Sequence, residues 1–160
     1  MNRLYLLLGS NMGDSTAQLN VARKKITKKI GSITRMSALY RTAAWGNIHQ
    51  PDFFNQVVVV DTKWEAHKVL ELALSIESEM GRTRLIKNEP RVIDIDILFF
   101  NKSIIQTENL VIPHPFIQDR NFVLTPLNEL SPQFIHPRLK KTVHFLKQHC
   151  VDKLAVTKIV

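Results

Sequence analysis

Apolar positions change period repeatedly along this chain, and each change marks an element. Residues 3–8 form a short apolar run stopped by Gly9, which predicts a strand. Asp14 or Ser15 then caps a helix whose apolar positions Leu19, Ala22, Ile26 and Ile30 keep helical spacing up to Gly31. Residues 32–40 alternate loosely and predict a second strand, and residues 41–52, with Gly46, Asn47 and Pro51, a loop. Residues 53–61 predict a third strand, central in its sheet because both faces are apolar around Val57, Val58, Val59 and Val60. Thr62 and Glu65 have capping-box spacing. The helix they introduce carries Val69, Leu70, Ala73, Ile76 and Met80 on one stripe as far as Gly81, with Glu77 on the same side. Residues 91–100 predict a fourth strand, which carries Asp94 and Asp96. The order β-α-β-β-α-β is that of a ferredoxin-like α+β core: a mainly antiparallel sheet with both helices packed on one face. An appended hairpin at residues 104–112 is broken by Pro113-His114-Pro115, and residues 125–130 and 139–149 predict two further helices, the second with Val143, Leu146 and Cys150 in phase. Residues 151–160 carry no readable pattern. With no repeat or linker, one domain over residues 1–160 is expected.

Composition narrows the class. The 160 residues are 44% hydrophobic, enough for one domain with a sizeable core. The single cysteine, Cys150, excludes an intramolecular disulfide and fits a reducing compartment. The run at residues 4–8 is too short for a signal peptide and no run approaches a membrane span, so a cytoplasmic protein without a membrane partner is expected. The net charge of +8 favours polyanionic partners. Arg23, Lys24, Lys25, Lys28 and Lys29 fall on a predicted helix as a solvated face, as do Lys140, Lys141 and Lys147. Arg82, Arg84, Lys87 and Arg91 instead crowd the loop leading into the fourth strand.

That strand is the most informative stretch. Asp94 and Asp96 lie one pleat apart and point the same way, among Val92, Ile93, Ile95, Ile97, Leu98, Phe99 and Phe100. Two bare acids in such a run repel each other and lose hydration. A hard divalent ion such as Mg²⁺ compensates them, sharing its oxygen ligands with phosphates. The bland alternative is a pair of acids at a strand end, facing water or salt-bridged. Guanidinium forks match phosphate oxygens, which suits Arg82 and Arg84 as a lid over a triphosphate. His114, held between two prolines, suits a phosphate contact. Glu77 on a core-facing stripe wants a partner or a ligand. Trp45, Phe53 and Asn55, with Phe122 after Arg120 in another loop, offer aromatic walls and one amide, a set that suits a flat heterocycle. Phe54 alternates away from them into the core. There is no P-loop, no Gly-x-Gly-x-x-Gly and no zinc spacing. The residue chemistry therefore reads as metal-assisted phosphoryl-type transfer.

Several segments together resemble one family. Residues 8–13 (Leu-Gly-Ser-Asn-Met-Gly), Tyr40-Arg41-Thr42 with Trp45-Gly46, residues 50–55 (Gln-Pro-Asp-Phe-Phe-Asn), Glu77 with Gly81-Arg82, residues 90–96 (Pro-Arg-Val-Ile-Asp-Ile-Asp), and Ile112-Pro113-His114-Pro115 with Arg120-Asn121-Phe122 follow the order and spacing of 6-hydroxymethyl-7,8-dihydropterin pyrophosphokinases. The resemblance implies a monomeric ferredoxin-like enzyme of folate biosynthesis that moves the diphosphate of ATP to the pterin hydroxymethyl group and releases AMP. It implies two Mg²⁺ ions on Asp94 and Asp96, and phosphate contacts from Arg82, Arg84, Arg91, His114 and Arg120, with Arg82 and Arg91 also serving catalysis. It implies that Glu77 serves the nucleotide side, and that Thr42, Ala43, Trp45, Phe53, Asn55 and Phe122 hold the pterin. The chain departs from the family at Asn88 and Glu89, where an aromatic and a glycine are usual in a loop one residue longer, and at Ala43-Ala44, where prolines are common. Two rival classes remain at this point: a ferredoxin-like module binding RNA through its basic surface, and a metal-dependent nuclease or nucleotidyltransferase.

Overall fold

The computed structural model describes residues 1–43, 51–81 and 92–159. Strand β1 (Asn2–Ser10) is the spine of the sheet, antiparallel to β4 (Phe53–Thr62) on one side and to β5 (Asp94–Phe100) on the other. Strands β2 (Ser32–Met36) and β3 (Leu39–Thr42) both pair with β4, and β8 (Val156–Ile159) adds to β3. The order β5-β1-β4-β3-β8 contains the antiparallel ferredoxin-like sheet expected from the sequence, extended by one strand at its end.

Alternation along β1 assigns each residue to one of two cores. Leu4, Leu6 and Leu8 face the helices α1 (Ser15–Lys29) and α2 (Ala66–Glu79), meeting Leu19, Ala22, Ile26, Val69, Ala73 and Ile76. Tyr5 and Leu7 face the opposite side, where α3 (Asn121–Leu130) and α4 (Val143–Gln148) bury Val123, Leu124, Leu127, Val143 and Leu146 against Val57 and Val59. Both faces of β4 are therefore buried, as its four valines require. Phe54 packs against the first core, as its phase predicts. The hairpin expected near residues 104–112 forms from β6 (Ile105–Gln106) and β7 (Val111–Ile112).

Several boundaries differ from the sequence expectations, each for a local reason. The strand expected over 32–40 is two strands, because Ser37 leaves the alternation to bond Val57 in both directions, through its backbone N–H to the carbonyl (2.9 Å) and through its hydroxyl from the N–H (3.0 Å). The capping box at Thr62 does not form. The Thr62 hydroxyl donates to the Ile30 carbonyl at 2.7 Å and accepts from the Trp64 N–H, and Glu65 itself occupies the N-cap without a side-chain cap bond. The helix expected over 139–149 is only α4, since Lys140 takes a left-handed φ of 60° and Thr142 caps the helix by accepting from the Phe145 N–H. Helix α3 begins earlier than expected, at Asn121, and β5 begins at Asp94. Asp14, rather than Ser15, caps α1 by accepting from the Ala17 N–H at 3.1 Å.

Gly31 links α1 to the sheet by close approach: a Cβ there would lie 2.0 Å from the Asp61 carbonyl oxygen and 3.1 Å from Thr62 Cα. Both obstacles are backbone, so neither yields by rotating a side chain. Gly31→Ala should destabilise the protein by at least ~2 kcal/mol, read as a fall in Tm of roughly 4–8 °C. An unchanged Tm would contradict this packing.

Candidate active site

The site is built on the register of three strands. Gly9 of β1 stands opposite Asn55 of β4 on one side and Asp94 of β5 on the other. Directly opposed residues in antiparallel strands share a face, so Asp94, Gly9 and Asn55 form a row across the sheet. At ordinary strand spacing the outer two backbones are about 10 Å apart. The middle member has no side chain, which leaves room above it. Asn55 leans over this gap: a Cβ on Gly9 would be 2.7 Å from Asn55 Oδ1 and 3.7 Å from the Phe53 ring. Asn55 is only 3% exposed, and its amide nitrogen Nδ2 is buried with no hydrogen-bond partner among the described residues. A buried amide donor without an acceptor carries a desolvation cost that a bound ligand edge would relieve.

Asp94 and Asp96 are both half-buried and alternate with the buried Ile95 and Ile97, as the sequence predicts. The anchoring of this strand is a finding the sequence only hinted at. Glu77, 1% exposed on α2, accepts from the Ile95 N–H at 2.7 Å through Oε2. Its carboxylate thus grips the peptide between the two aspartates, which gives the core-facing Glu77 the partner its position demands. Farther along, the ladder to β1 shifts register between Leu6–Ile97 and Tyr5–Phe99, leaving Leu98 as a bulge whose carbonyl accepts from the His114 N–H at 3.0 Å.

That bond sets His114 beside the acids. Its Nδ1 accepts from the Phe116 N–H at 3.2 Å, which leaves the ring hydrogen of the neutral form on Nε2. Burial first, and the neighbouring Arg120 charge second, push its pKa down to about 4 against the pull of Asp94. The ring is therefore neutral near pH 7. The Arg120 guanidinium lies between two aromatic rings, 4.7 Å from the centre of Phe116 and 5.8 Å from that of Phe122. Burial lowers its pKa, while Asp96, Asp94 and Asp119 hold it up. A cation thus stands near both acids.

A cavity of about 220 Å³ opens along the outer edge of β5. Leu70 and Leu74 of α2, Ile97 and Val111 give it apolar walls, and Asp96 and His114 line it too. Thr42 is buried, its hydroxyl donating to the Ala155 carbonyl at 3.0 Å, and Ala43 is exposed. Asn11 fastens the return of the chain into β4 by donating to the Pro51 carbonyl. Trp45, Arg82, Arg84 and Arg91, together with Asn88 and Glu89, lie outside the described residues.

The structure thus gathers Asp94, Asp96, Glu77, His114, Arg120 and Phe122 around the end of β5, and Phe53 with Asn55 around Gly9. Among the described residues no three His, Cys, Asp or Glu side chains converge as a complete metal cage. Two hard oxygen donors on one face do fit Mg²⁺, which keeps most of its coordination for water and phosphate. The sequence reading missed Gly9 as the opening of the row, Phe116 under Arg120 and the walls of the cavity. Only Gly9 left a signal, as a glycine closing an apolar strand.

The model of the family 7,8-dihydro-6-hydroxymethylpterin-pyrophosphokinase (HPPK) matches residues 5–132. A 2-amino-4-hydroxy-6-hydroxymethyldihydropteridine pyrophosphokinase of Methylorubrum extorquens is 43% identical over 136 residues, 84% of this chain and 86% of that one. The protein of the same name from Bacillus subtilis is 40% identical over 82% of this chain and 80% of its own length. The crystal structure of Plasmodium falciparum HPPK-DHPS with pteroate shares the fold, with a TM-score of 0.76 and 20% identity over 92% of this chain, which spans 42% of that longer one. From the extent of the family match and the two bacterial relatives, the chain belongs to the 7,8-dihydro-6-hydroxymethylpterin-pyrophosphokinase family, ATP-dependent diphosphotransferases of folate biosynthesis.

Proposed function

We propose that this chain transfers the diphosphate of ATP to the hydroxymethyl group of 6-hydroxymethyl-7,8-dihydropterin and releases AMP. The observation that carries the reading at residue level is the row Asp94–Gly9–Asn55. It sets a buried amide, whose Nδ2 has no partner among the described residues, over the side-chain-free position that faces a pair of acids. The Asn55 amide reads the hydrogen-bonding edge of the pterin, and Phe53 and Phe122 stack on its faces, with Thr42, Ala43 and Trp45 completing the pocket. The hydroxymethyl group then points along the row toward Asp94 and Asp96.

ATP enters from the other side. The cavity edged by Leu74, Ile97 and Val111 takes the adenine end, and His114 and Arg120 face the phosphates, joined by Arg82, Arg84 and Arg91 from the preceding loop. The neutral His114 donates through Nε2 without adding charge, and Arg120 supplies the fixed cation. Glu77 serves the nucleotide side indirectly, by holding the Ile95 peptide in place. Asp94 and Asp96 would hold Mg²⁺, two ions in this reading, which would offset the phosphate charge and acidify the attacking hydroxyl. The hydroxymethyl oxygen attacks the β-phosphorus in line, the bond to the α-phosphate oxygen breaks, and AMP leaves with that oxygen. Asp96 is the candidate nearest the reaction to accept the hydroxyl proton. The enzyme works as a cytoplasmic monomer on small molecules, with no nucleic-acid or membrane partner. The RNA-binding alternative is not favoured by the fold, since helices pack on both faces of the sheet and, among the described residues, leave no open platform of stacking aromatics.

With ATP, Mg²⁺ and the hydroxymethyl dihydropterin together, AMP should accumulate, and chelation of the metal should stop it. Formation of ADP, or cleavage of a DNA strand, would point to another phosphoryl-transfer class. Asp94→Ala and Asp96→Ala should each lower kcat on the order of 10²–10³-fold while the far-ultraviolet circular dichroism stays native. Near-normal turnover in both would remove the diacid from the mechanism. Gly9→Ala should push the Asn55 amide out of place and weaken pterin binding about tenfold or more, with affinity for a nonhydrolysable ATP analogue unchanged. Equal loss of both ligands would place Gly9 outside the pterin pocket.

A further inference from the structure

Helix α3 carries Phe122 in its first turn, yet its start receives no help from its own flank. Arg120 occupies the N-cap and makes no side-chain cap bond. The acceptor comes from the far end of the chain. Asp152 accepts from the Asn121 N–H at 2.9 Å through Oδ2 and from the Leu154 N–H at 3.0 Å through Oδ1. One carboxylate therefore closes the helix start, where exposed N–H groups and the helix dipole favour negative charge, and also shapes the turn that leads into β8. Immediately after that turn, the Ala155 carbonyl accepts from the Thr42 hydroxyl at 3.0 Å, and β8 runs antiparallel to β3 with Val156 opposite Thr42 and Lys158 opposite Tyr40. The strand also packs on α3. Residues 152–159 thus bond, within one short stretch, the two elements that bear Phe122 and Thr42. The family match ends at residue 132, well before this segment.

We propose that Asp152 is a positioning residue for the pterin pocket. It ties the first turn of α3 to β3 through β8, and so sets the placement of Phe122 relative to Thr42. The inference rests on the pterin reading of that pocket. Among the described residues, no hydrogen bond runs from this segment to the cavity walls Leu70, Leu74, Ile97 or Val111. Arg120 is held by its own stacking on Phe116. The tie therefore acts on the pterin more than on the nucleotide.

Asp152→Ala in the full-length protein removes the acceptor. Asn121→Pro removes the N–H donor, together with the Oδ1 that accepts from the Thr125 hydroxyl at 3.1 Å: proline suits the first helical position, and the extended backbone of Arg120 (φ −129°, ψ 109°) accepts a following proline. Binding of 6-hydroxymethyl-7,8-dihydropterin and of a nonhydrolysable ATP analogue is measured separately by calorimetry for the parent and both variants. Both variants should weaken pterin binding roughly five- to tenfold, the equilibrium equivalent of a lost helix cap, and should shift the ATP analogue's affinity by less than about twofold. Unchanged pterin binding in a folded variant overturns the proposal, as does a parallel loss of both ligands. If Asp152→Ala fails to fold, the ratio of the two affinities in Asn121→Pro decides. A parent protein that binds ATP but not the pterin would sink the pterin reading itself, an outcome separate from any difference between parent and variants.

Discussion

Two carboxylates on neighbouring same-face positions of a strand repel each other by roughly 2–3 kcal/mol at ~7 Å in a partly wet protein. The fold has to hold the acids in place against that repulsion. Three contacts do so from different directions. The β1 ladder fixes Asp94 opposite Gly9 and Asp96 opposite Leu7, the Glu77 carboxylate holds the Ile95 peptide between them, and the Arg120 cation stands close enough for both acids to affect its titration. Every other feature of the site is placed relative to this strand. Gly9 faces Asp94 across its ladder, the cavity edge at Ile97 and the backbone of His114 are set by it directly, and the amide of Asn55 is reached through the β1–β4 register.

The electrostatics divide along the sheet. Among the described residues, charge is concentrated at the β5 end, where Arg120 stands near the two acids. Across Gly9 the polar group is a neutral amide in an apolar setting, which suits a ring recognised by shape and by its hydrogen-bonding edge. His114 belongs to the charged end yet carries no charge near pH 7, because burial and Arg120 together outweigh Asp94. A second cation packed against Arg120 would strain the same small volume, so the imidazole contributes a donor without adding to the field.

Much of this was legible in the sequence because it depends on local pattern. The alternation of Asp94 and Asp96 with isoleucines, the helical stripe from Val69 to Ile76, the four valines of β4 and the phase of Phe54 against Phe53 and Asn55 each encode a face, and the faces are as expected. What stayed hidden depends on partners far along the chain. Thr62 and Glu65 have the spacing of a capping box, but the hydroxyl is taken by the Ile30 carbonyl of the preceding helix. Helix α3 starts early because Asp152, 31 positions away, caps it. Strand β8 is a strand only because β3 offers an edge, and its own residues show little apolar alternation. The division of residues 32–40 turns on one serine bonding across to Val57, which no period reveals.

Strand β5 lies at the border of the sheet and is also its most apolar border segment, five of its seven residues being Ile, Leu or Phe. Such a border, left bare, offers a template for pairing with another chain and for fibre growth. Here the Leu98 bulge interrupts the ladder, its carbonyl is occupied by the His114 peptide, and β7 packs alongside. The opposite border, β8, is short and carries Lys158, a second common safeguard. The His114 peptide that borders the cavity therefore also covers part of a strand that would otherwise be free to recruit another copy of itself.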